Sequence, residues 1–239
     1  GVAPRDVRKG AISVAVAIGS TLYVAQDVAI RGEVRLGHEA QMIVGGNASI
    51  GELTRNAADD DSSTSSNGEV HVGGTLEVTQ GNLYLGDSAV LVVHHLHVDH
   101  SIGLGAKMHF ALPGQLYAGS LNVGPNANLT VGSMVVRSLV NTEWHSRVRI
   151  TSGGLTTATA FVGAYGKLEV RGPVEVSSFF FTDTAANVTS SSLVSGNFHM
   201  EPCSQMHILG DASVRGTLVA KGRPNTLSTH GVEENCCGI

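Results

Sequence analysis

The sequence predicts an all-β protein built as a single-stack β-solenoid, and three observations support this. Only 15 % of the 239 residues are charged and 5 % aromatic, whereas glycine, β-branched and small polar residues are abundant, which suits strands better than helices. Three-residue segments such as LEV, LHV and VRI recur with apolar outer residues and a polar middle residue, the period-two pattern of a strand. These segments also recur at a nearly constant interval. A β-sandwich, the alternative, needs short strands but no such interval.

The interval is visible as an ungapped repeat of about 38 residues. The segments VRLGHEAQMIV, LYLGDSAVLVV, LNVGPNANLTV and AFVGAYGKLEV align, and FHMEPCSQMHI keeps their apolar positions. Their landmark residues are Gly37, Gly86, Gly124, Gly163 and Glu201, which the numbering places 49, 38, 39 and 38 positions apart. Gly105 falls midway between the second and third landmarks. We therefore expect coils of about 19 residues, paired into the 38-residue repeat.

The repeat also sets the expected domain boundaries. We expect an N-terminal arm over residues 1–9, the solenoid over 10–222 and a C-terminal tail over 223–239. The first interval between landmarks is 11 residues longer than 38, and the polar run RNAADDDSSTSSNG, at about residues 55–68, accounts for the excess as an insert.

Over residues 10–222 the chain resembles β-helix and β-solenoid repeat proteins in general. This resemblance implies a right-handed parallel β-helix, the commoner form, although the sequence leaves the handedness open. Bactofilins are similar in their short G-x-L-x-V coils, and that likeness implies end-to-end polymerisation. This chain departs from bactofilins in its glycosylation sequons, its cysteine-containing tail and its insert, so no functional residue is carried over from them.

The segment HHLHVDH is the densest group of metal-ligand types. If Leu96 and Val98 point inward, then His95, His97 and Asp99 share the outer face, where histidines two apart can bind zinc. The ordinary explanation is a solvated outer face, which we prefer. A divalent metal at this cluster is the alternative, and we expect no other cofactor.

Two further residue types bear on where the protein works. Asn47, Asn128 and Asn187 begin N-glycosylation sequons, and the strand pattern turns the last two outward. Cys203, Cys236 and Cys237 form an odd set, which suggests an intermolecular disulfide or a free thiol. Together they favour a secreted, extracellular or cell-surface glycoprotein, with disulfides contributing to its assembly.

Charge and motifs exclude several classes. A net charge of −5 argues against a nucleic-acid partner, and no apolar run reaches the roughly 18 residues of a membrane span. No paired carboxylates or nucleophile motifs suggest catalysis. We therefore expect a non-enzymatic structural protein that associates with itself or other structural chains, and with glycans, in a filament, sheath, wall or surface appendage. The alternatives are a carbohydrate-binding or carbohydrate-cleaving β-helix and a bactofilin-like intracellular scaffold.

Overall fold

Each strand of the computed structural model pairs in parallel with a strand of the preceding or following turn. The structure describes residues 14–37, 39–55, 69–86, 90–221 and 226–228, and these contain strands but no helix. The strands form a 20-stranded sheet, stacked as a β-solenoid of about 9 turns with incomplete turns at both ends, which confirms the predicted fold class. The handedness of the coil stays a prediction.

The strands divide the described chain into three stretches per turn. Their bounds are β1 Val14–Val16, β2 Thr21–Val24, β3 Val28–Leu36, β4 Gln41–Val44, β5 Ala48–Arg55, β6 Glu69–Val78, β7 Leu83–Leu85, β8 Val90–Leu104, β9 His109–Val123, β10 Asn128–Thr142, β11 Arg147–Ile150, β12 Leu155–Val162, β13 Lys167–Val170, β14 Pro173–Thr182, β15 Asn187–Ser190, β16 Ser192–Met200, β17 Gln205–Ile208, β18 Ala212–Val214, β19 Leu218–Ala220 and β20 Thr226–Ser228.

Stacking of these stretches produces three faces. The first face contains β2, β4, β11, β13, β15, β17 and β20 with the N-terminal parts of β6, β8, β9 and β10. The second contains β18 and stretches such as 116–118, 134–136 and 155–157. The third contains β1, β7, β19 and the C-terminal parts of the long strands. No helix in the described ranges is long and apolar enough to cross a membrane.

The register of the strands confirms the predicted coil length. Leu129 pairs with Phe110 in the preceding turn and with Val148 in the following one, and both partners are 19 positions away. Each predicted landmark residue is the first residue of a corner that connects the third face to the first face. Alternate turns carry Glu143 and Asp183 at that corner position, which is why the half-repeat is hard to see in the later sequence.

The insert lies where the sequence predicts extra length. Met42 pairs with Val70, 28 positions on, so the additional residues fall between β5 and β6. Residues 56–68, most of the predicted insert, lie outside the described residues, as do the arm over 1–9 and nearly all of the tail over 223–239. Within the tail range, β20 pairs with β17 as one more stretch of the first face.

The interior is a continuous apolar column. In each strand alternate side chains point inward, so LEV, LHV and VRI bury their outer residues as predicted: Leu76 and Val78 are fully buried, as are Leu96 and Val98. The triplet FFF shows the alternation most clearly. Phe180 is 0 % exposed and contacts Phe198, with ring centroids 5.3 Å apart, whereas Phe179 and Phe181 point outward.

Corners between the third and first faces share one backbone conformation. The fourth corner residue donates its N–H to the carbonyl of the first, as Ala186 does to Asp183 at 3.0 Å. A positive φ at the third position fits a type II turn, which normally takes Gly or Asn there. Here the third-position residues with φ between 55° and 64° are Glu39, Lys107, Asn126, His145, Tyr165, Ala185 and Cys203.

These left-handed residues are held by the neighbouring turn. The N–H of Asn126 donates to the carbonyl of Trp144 at 3.1 Å, and the N–H of Ala185 donates to the carbonyl of Pro202 at 3.1 Å. This conformation costs residues other than Gly about 1–2 kcal/mol. Stacking of the turns therefore overrides local preference at the corners from Lys107 to Ala185.

The alternation of inward and outward side chains predicts unequal costs for neighbouring substitutions. Phe180→Ala should lower the free energy of unfolding by about 3–5 kcal/mol, because it empties part of the core. Phe181→Ala should cost about 1 kcal/mol, since it removes only ring contacts on an outer face. Chemical denaturation of both variants measures the difference, and equal costs would contradict the inward assignment of Phe180.

The corner geometry predicts a stabilising substitution. Ala185→Gly should raise the free energy of unfolding by about 0.5–1 kcal/mol, because relief of the left-handed strain exceeds the entropy that glycine adds to the unfolded chain. Ala186→Gly, at the adjacent buried position with ordinary φ, is the matched control and should destabilise. Thermal denaturation of the pair tests this, and loss of stability in Ala185→Gly would contradict it.

Candidate functional site

The predicted histidine cluster is only partly brought together. Leu96 and Val98 point inward as expected, and His97 Nε2 lies 3.1 Å from Asp99 Oδ1 on the outside. His95 instead accepts a hydrogen bond at Nδ1 from the backbone N–H of Gln115, at 3.0 Å. In the part of the chain that the structure describes, no group of three His, Cys, Asp or Glu residues is placed to hold a metal ion.

The sequons fall in two environments. Asn128 and Asn187 are half-exposed on the outer side of the first face, as the strand pattern predicts. Asn47 lies at a corner, where its Oδ1 accepts from the N–H of Thr75 at 2.9 Å and its Nδ2 lies 3.3 Å from Asp27 Oδ1. The Nδ2 atoms of Asn128 and Asn187 also have partners, His109 Nδ1 at 3.2 Å and Gln205 Oε1 at 3.3 Å, so modification at any of the three sequons would replace a side-chain hydrogen bond.

The predicted assembly cysteines are only partly described. Cys203 is the third residue of a corner and has a φ of 64°. Cys236 and Cys237 lie outside the described residues. A disulfide involving any of the three stays a prediction.

The first described turn leaves its apolar core partly uncovered. Its inward residues Leu22, Val24, Val28 and Ile30 are only half-buried. Their partners one turn later are 0–2 % exposed: Met42, Val44, Ala48 and Ile50. The strands of the two turns pair in register 20 positions apart, as Leu22 does with Met42 and Val28 with Ala48, so the difference comes from position at the end of the described stack.

The last described turn is open in the same way. Leu218 is 51 % exposed and Ala212 and Ala220 are exposed, whereas Phe198 and Leu193 one turn earlier are buried. Both end turns of the described solenoid therefore present apolar side chains and strand edges.

An aromatic row runs along the outer side of the third face. The rings of Phe161 and Phe181 stack with centroids 4.8 Å apart and planes 3° apart, and His199 follows at 5.0 Å. Phe179 lies beside them and is 37 % exposed. The FFF triplet is evident in the sequence, but the contribution of Phe161 is not, because it depends on the register that pairs Phe161 with Phe181 one turn later.

A second aromatic group occupies the corner between the third and first faces. Trp144 is 52 % exposed and Tyr165 is 48 % exposed. Between them His145 stacks on Tyr165, with centroids 4.9 Å apart and planes 9° apart. His145 and Tyr165 hold the same corner position in successive turns, and this spacing is the signal that could have identified the group from sequence.

At the C-terminal end of the aromatic row, His199, Glu201 and Lys221 form a charged group. Glu201 Oε1 lies 3.1 Å from Lys221 Nζ and 2.8 Å from His199 Nε2. The hydrogen bond from Lys221, and then that from His199, holds the pKa of the Glu201 carboxyl below its ordinary value of 4.5. This group links the last two described turns.

Comparison with known proteins finds no matching family model, no similar curated protein and no similar solved structure. The functional interpretation therefore depends on the geometry of the end turns and outer faces.

The Glu201 group predicts a pH dependence. A carboxyl whose pKa is lowered in the folded state contributes stability above its unfolded pKa, and that contribution is lost as the pH falls through the folded pKa. Wild type should therefore exceed Glu201→Gln in stability at about pH 7, and the difference should shrink below about pH 4.5. Thermal unfolding of both proteins across this range is the measurement, and a difference that grows on acidification would contradict it.

Proposed function

We propose that this protein is a non-enzymatic, extracellular structural protein that associates head to tail through the ends of its solenoid. The observation that carries the proposal is the partly uncovered core at both end turns of the described solenoid. Val28 and Ile30 at one end and Leu218 at the other are the inward residues that a further turn would bury. Burial of such surface is the main driving force of protein association.

The parallel topology favours a head-to-tail contact over a symmetric one. The N–H of Val28 donates to the carbonyl of Asn47 in the second turn. Since alternate residues of a strand direct their backbone groups to opposite sides, those of Ala29 face away from the stack. The N-terminal edge of one copy is thus suited to the C-terminal edge of another. A contact of this heterologous kind does not close on itself and produces a filament.

The outer third face supplies a surface for side-by-side contact between such filaments. Phe161, Phe179 and Phe181 form an aromatic patch there, and Leu139 is 37 % exposed on the same face. Exposed apolar patches of this kind are typical of interaction sites. A second copy of the same face is the partner in this proposal, as expected of a sheath or wall.

The outward sequons support the extracellular part of the proposal. Asn128 and Asn187 lie on the first face, away from both the end turns and the aromatic patch. Glycans attached there would leave both contacts free. A disulfide from the cysteines at 236 and 237 would lock the junction between copies, and loss of large species on addition of a reductant tests that element.

Two single substitutions test head-to-tail association directly. Val28→Lys and Leu218→Lys each place a charge in one end of the core, where burial in a junction is costly. Each variant alone should sediment as a monomer, while wild type forms larger species. An equimolar mixture should form dimers and nothing longer, because each variant retains one intact end. Analytical ultracentrifugation at several concentrations resolves these species.

The matched control is Ala29→Lys, which adds the same charge on the exposed side of the same strand and should assemble like wild type. Circular dichroism confirms that each variant is folded. Monomeric wild type at all concentrations, or assembly unchanged by both end substitutions, would contradict the proposal.

A further inference from the structure

A trough runs along the corner between the second and third faces, parallel to the stacking axis. Five successive turns each contribute the residue that directly follows the last paired residue of the second face, in the order Arg137, Ala158, Ser177, Gly196 and Arg215. The three small residues in the middle leave a depression, and an arginine lies at each end. The cavity has a volume of about 420 Å³ and continues into a second of about 370 Å³ through Ser177, Gly196 and Arg215.

The trough is lined by both apolar and polar side chains, a combination that suits a saccharide chain. The outward side chains of Val135 and Val194 supply apolar surface, which the C–H faces of sugar rings can contact. Thr156 and Ser177 supply hydroxyls that both donate and accept hydrogen bonds. Glu175, on the central turn, is an exposed acceptor for sugar hydroxyls.

The two arginines favour a negatively charged ligand. The backbones of Arg137 and Arg215 are four strand spacings apart, about 19 Å, and the Arg137 guanidinium reaches further from Arg215, toward the turn of Asp99, so the two side chains would contact anionic groups on separate units of an extended polymer. Arg137 is held in place, because its Nη2 donates to the carbonyl of Asp99 and its guanidinium lies 5.7 Å from the centre of the Tyr117 ring. That bond uses one of the five guanidinium donors. Guanidinium groups bind carboxylates and sulfates with paired hydrogen bonds.

Other polymers fit this trough less well. An extended peptide usually binds by adding a strand to a free sheet edge, but here the backbone groups already pair between turns, as the N–H of Gly216 does with the carbonyl of Gly196 at 2.7 Å. Double-stranded nucleic acid requires a broad basic surface, whereas the lining of the trough has two separated arginines with the carboxylate of Glu175 between them. We propose that the trough binds an acidic polysaccharide, with Arg137 and Arg215 contacting its carboxylate or sulfate groups. Arg215 belongs to the last described turn, but it is exposed on the outer corner, whereas the proposed junction uses the inward residues of that turn.

Fluorescence anisotropy with labelled oligosaccharides tests the proposal. The probes are an oligogalacturonate, whose charges are all carboxylates, a heparin-derived oligosaccharide, which carries sulfates in addition to carboxylates, and a cello-oligosaccharide as the neutral comparison. Binding of the heparin probe alone would indicate sulfate recognition. Binding of one or both anionic probes should weaken as salt is raised, and the neutral probe should bind far more weakly. Arg137→Gln and Arg215→Gln should each raise Kd roughly tenfold or more.

Two further variants distinguish the trough from general electrostatic attraction. Arg171→Gln removes an exposed arginine at the opposite edge of the second face and should leave Kd nearly unchanged. Ser177→Phe fills the trough without changing the charge and should abolish binding, with circular dichroism as the check on folding. The proposal is overturned if neither anionic probe binds, if Arg171→Gln matches the trough arginines, or if Ser177→Phe binds like wild type.

Discussion

Backbone hydrogen bonding between successive turns, in a fixed register, is the constraint on which the rest of this structure depends. Each inner turn has a partner on both sides, as Leu129 has in Phe110 and Val148. An end turn has a partner on one side alone, so its strand edge and inward apolar residues remain open in the described solenoid. The hydrogen bonding and apolar packing between turns that stabilise the coil are therefore the same interactions that would join it to a second copy.

The same register determines which side chains become neighbours on the outer faces. Inward positions are occupied by apolar residues, but outer positions are free to vary, and residues one turn apart become neighbours. Phe161, Phe181 and His199 meet in this way on the third face. The trough between Arg137 and Arg215 arises likewise, from small residues at one position in three consecutive turns. Side chains at equivalent outer positions therefore form rows along the stacking axis, and both proposed interaction surfaces are rows of this kind.

The solenoid architecture could be predicted because the inward pattern and the corner landmarks recur in the sequence. The outer surfaces could not, since turns vary in length. The turn that runs from Asp183 to Glu201 is shorter than the turn that runs between the equivalent corners at Glu143 and Gly163. A shift of one residue exchanges inner and outer positions, so the contacts between side chains on neighbouring turns are not evident from the sequence. For the same reason, the strand pattern places His95 on the outer face with His97 and Asp99. In the structure, however, the His95 ring accepts a hydrogen bond from the backbone N–H of Gln115 at a corner.

Head-to-tail association requires that the two ends of the solenoid be complementary. Negative-stain electron microscopy of the purified protein, over a range of concentrations, tests this through the distribution of particle lengths. Complementary ends should produce rods of constant width whose lengths are integer multiples of one molecule and increase with concentration. Particles of one length at every concentration, or particles that grow only in width, would contradict it.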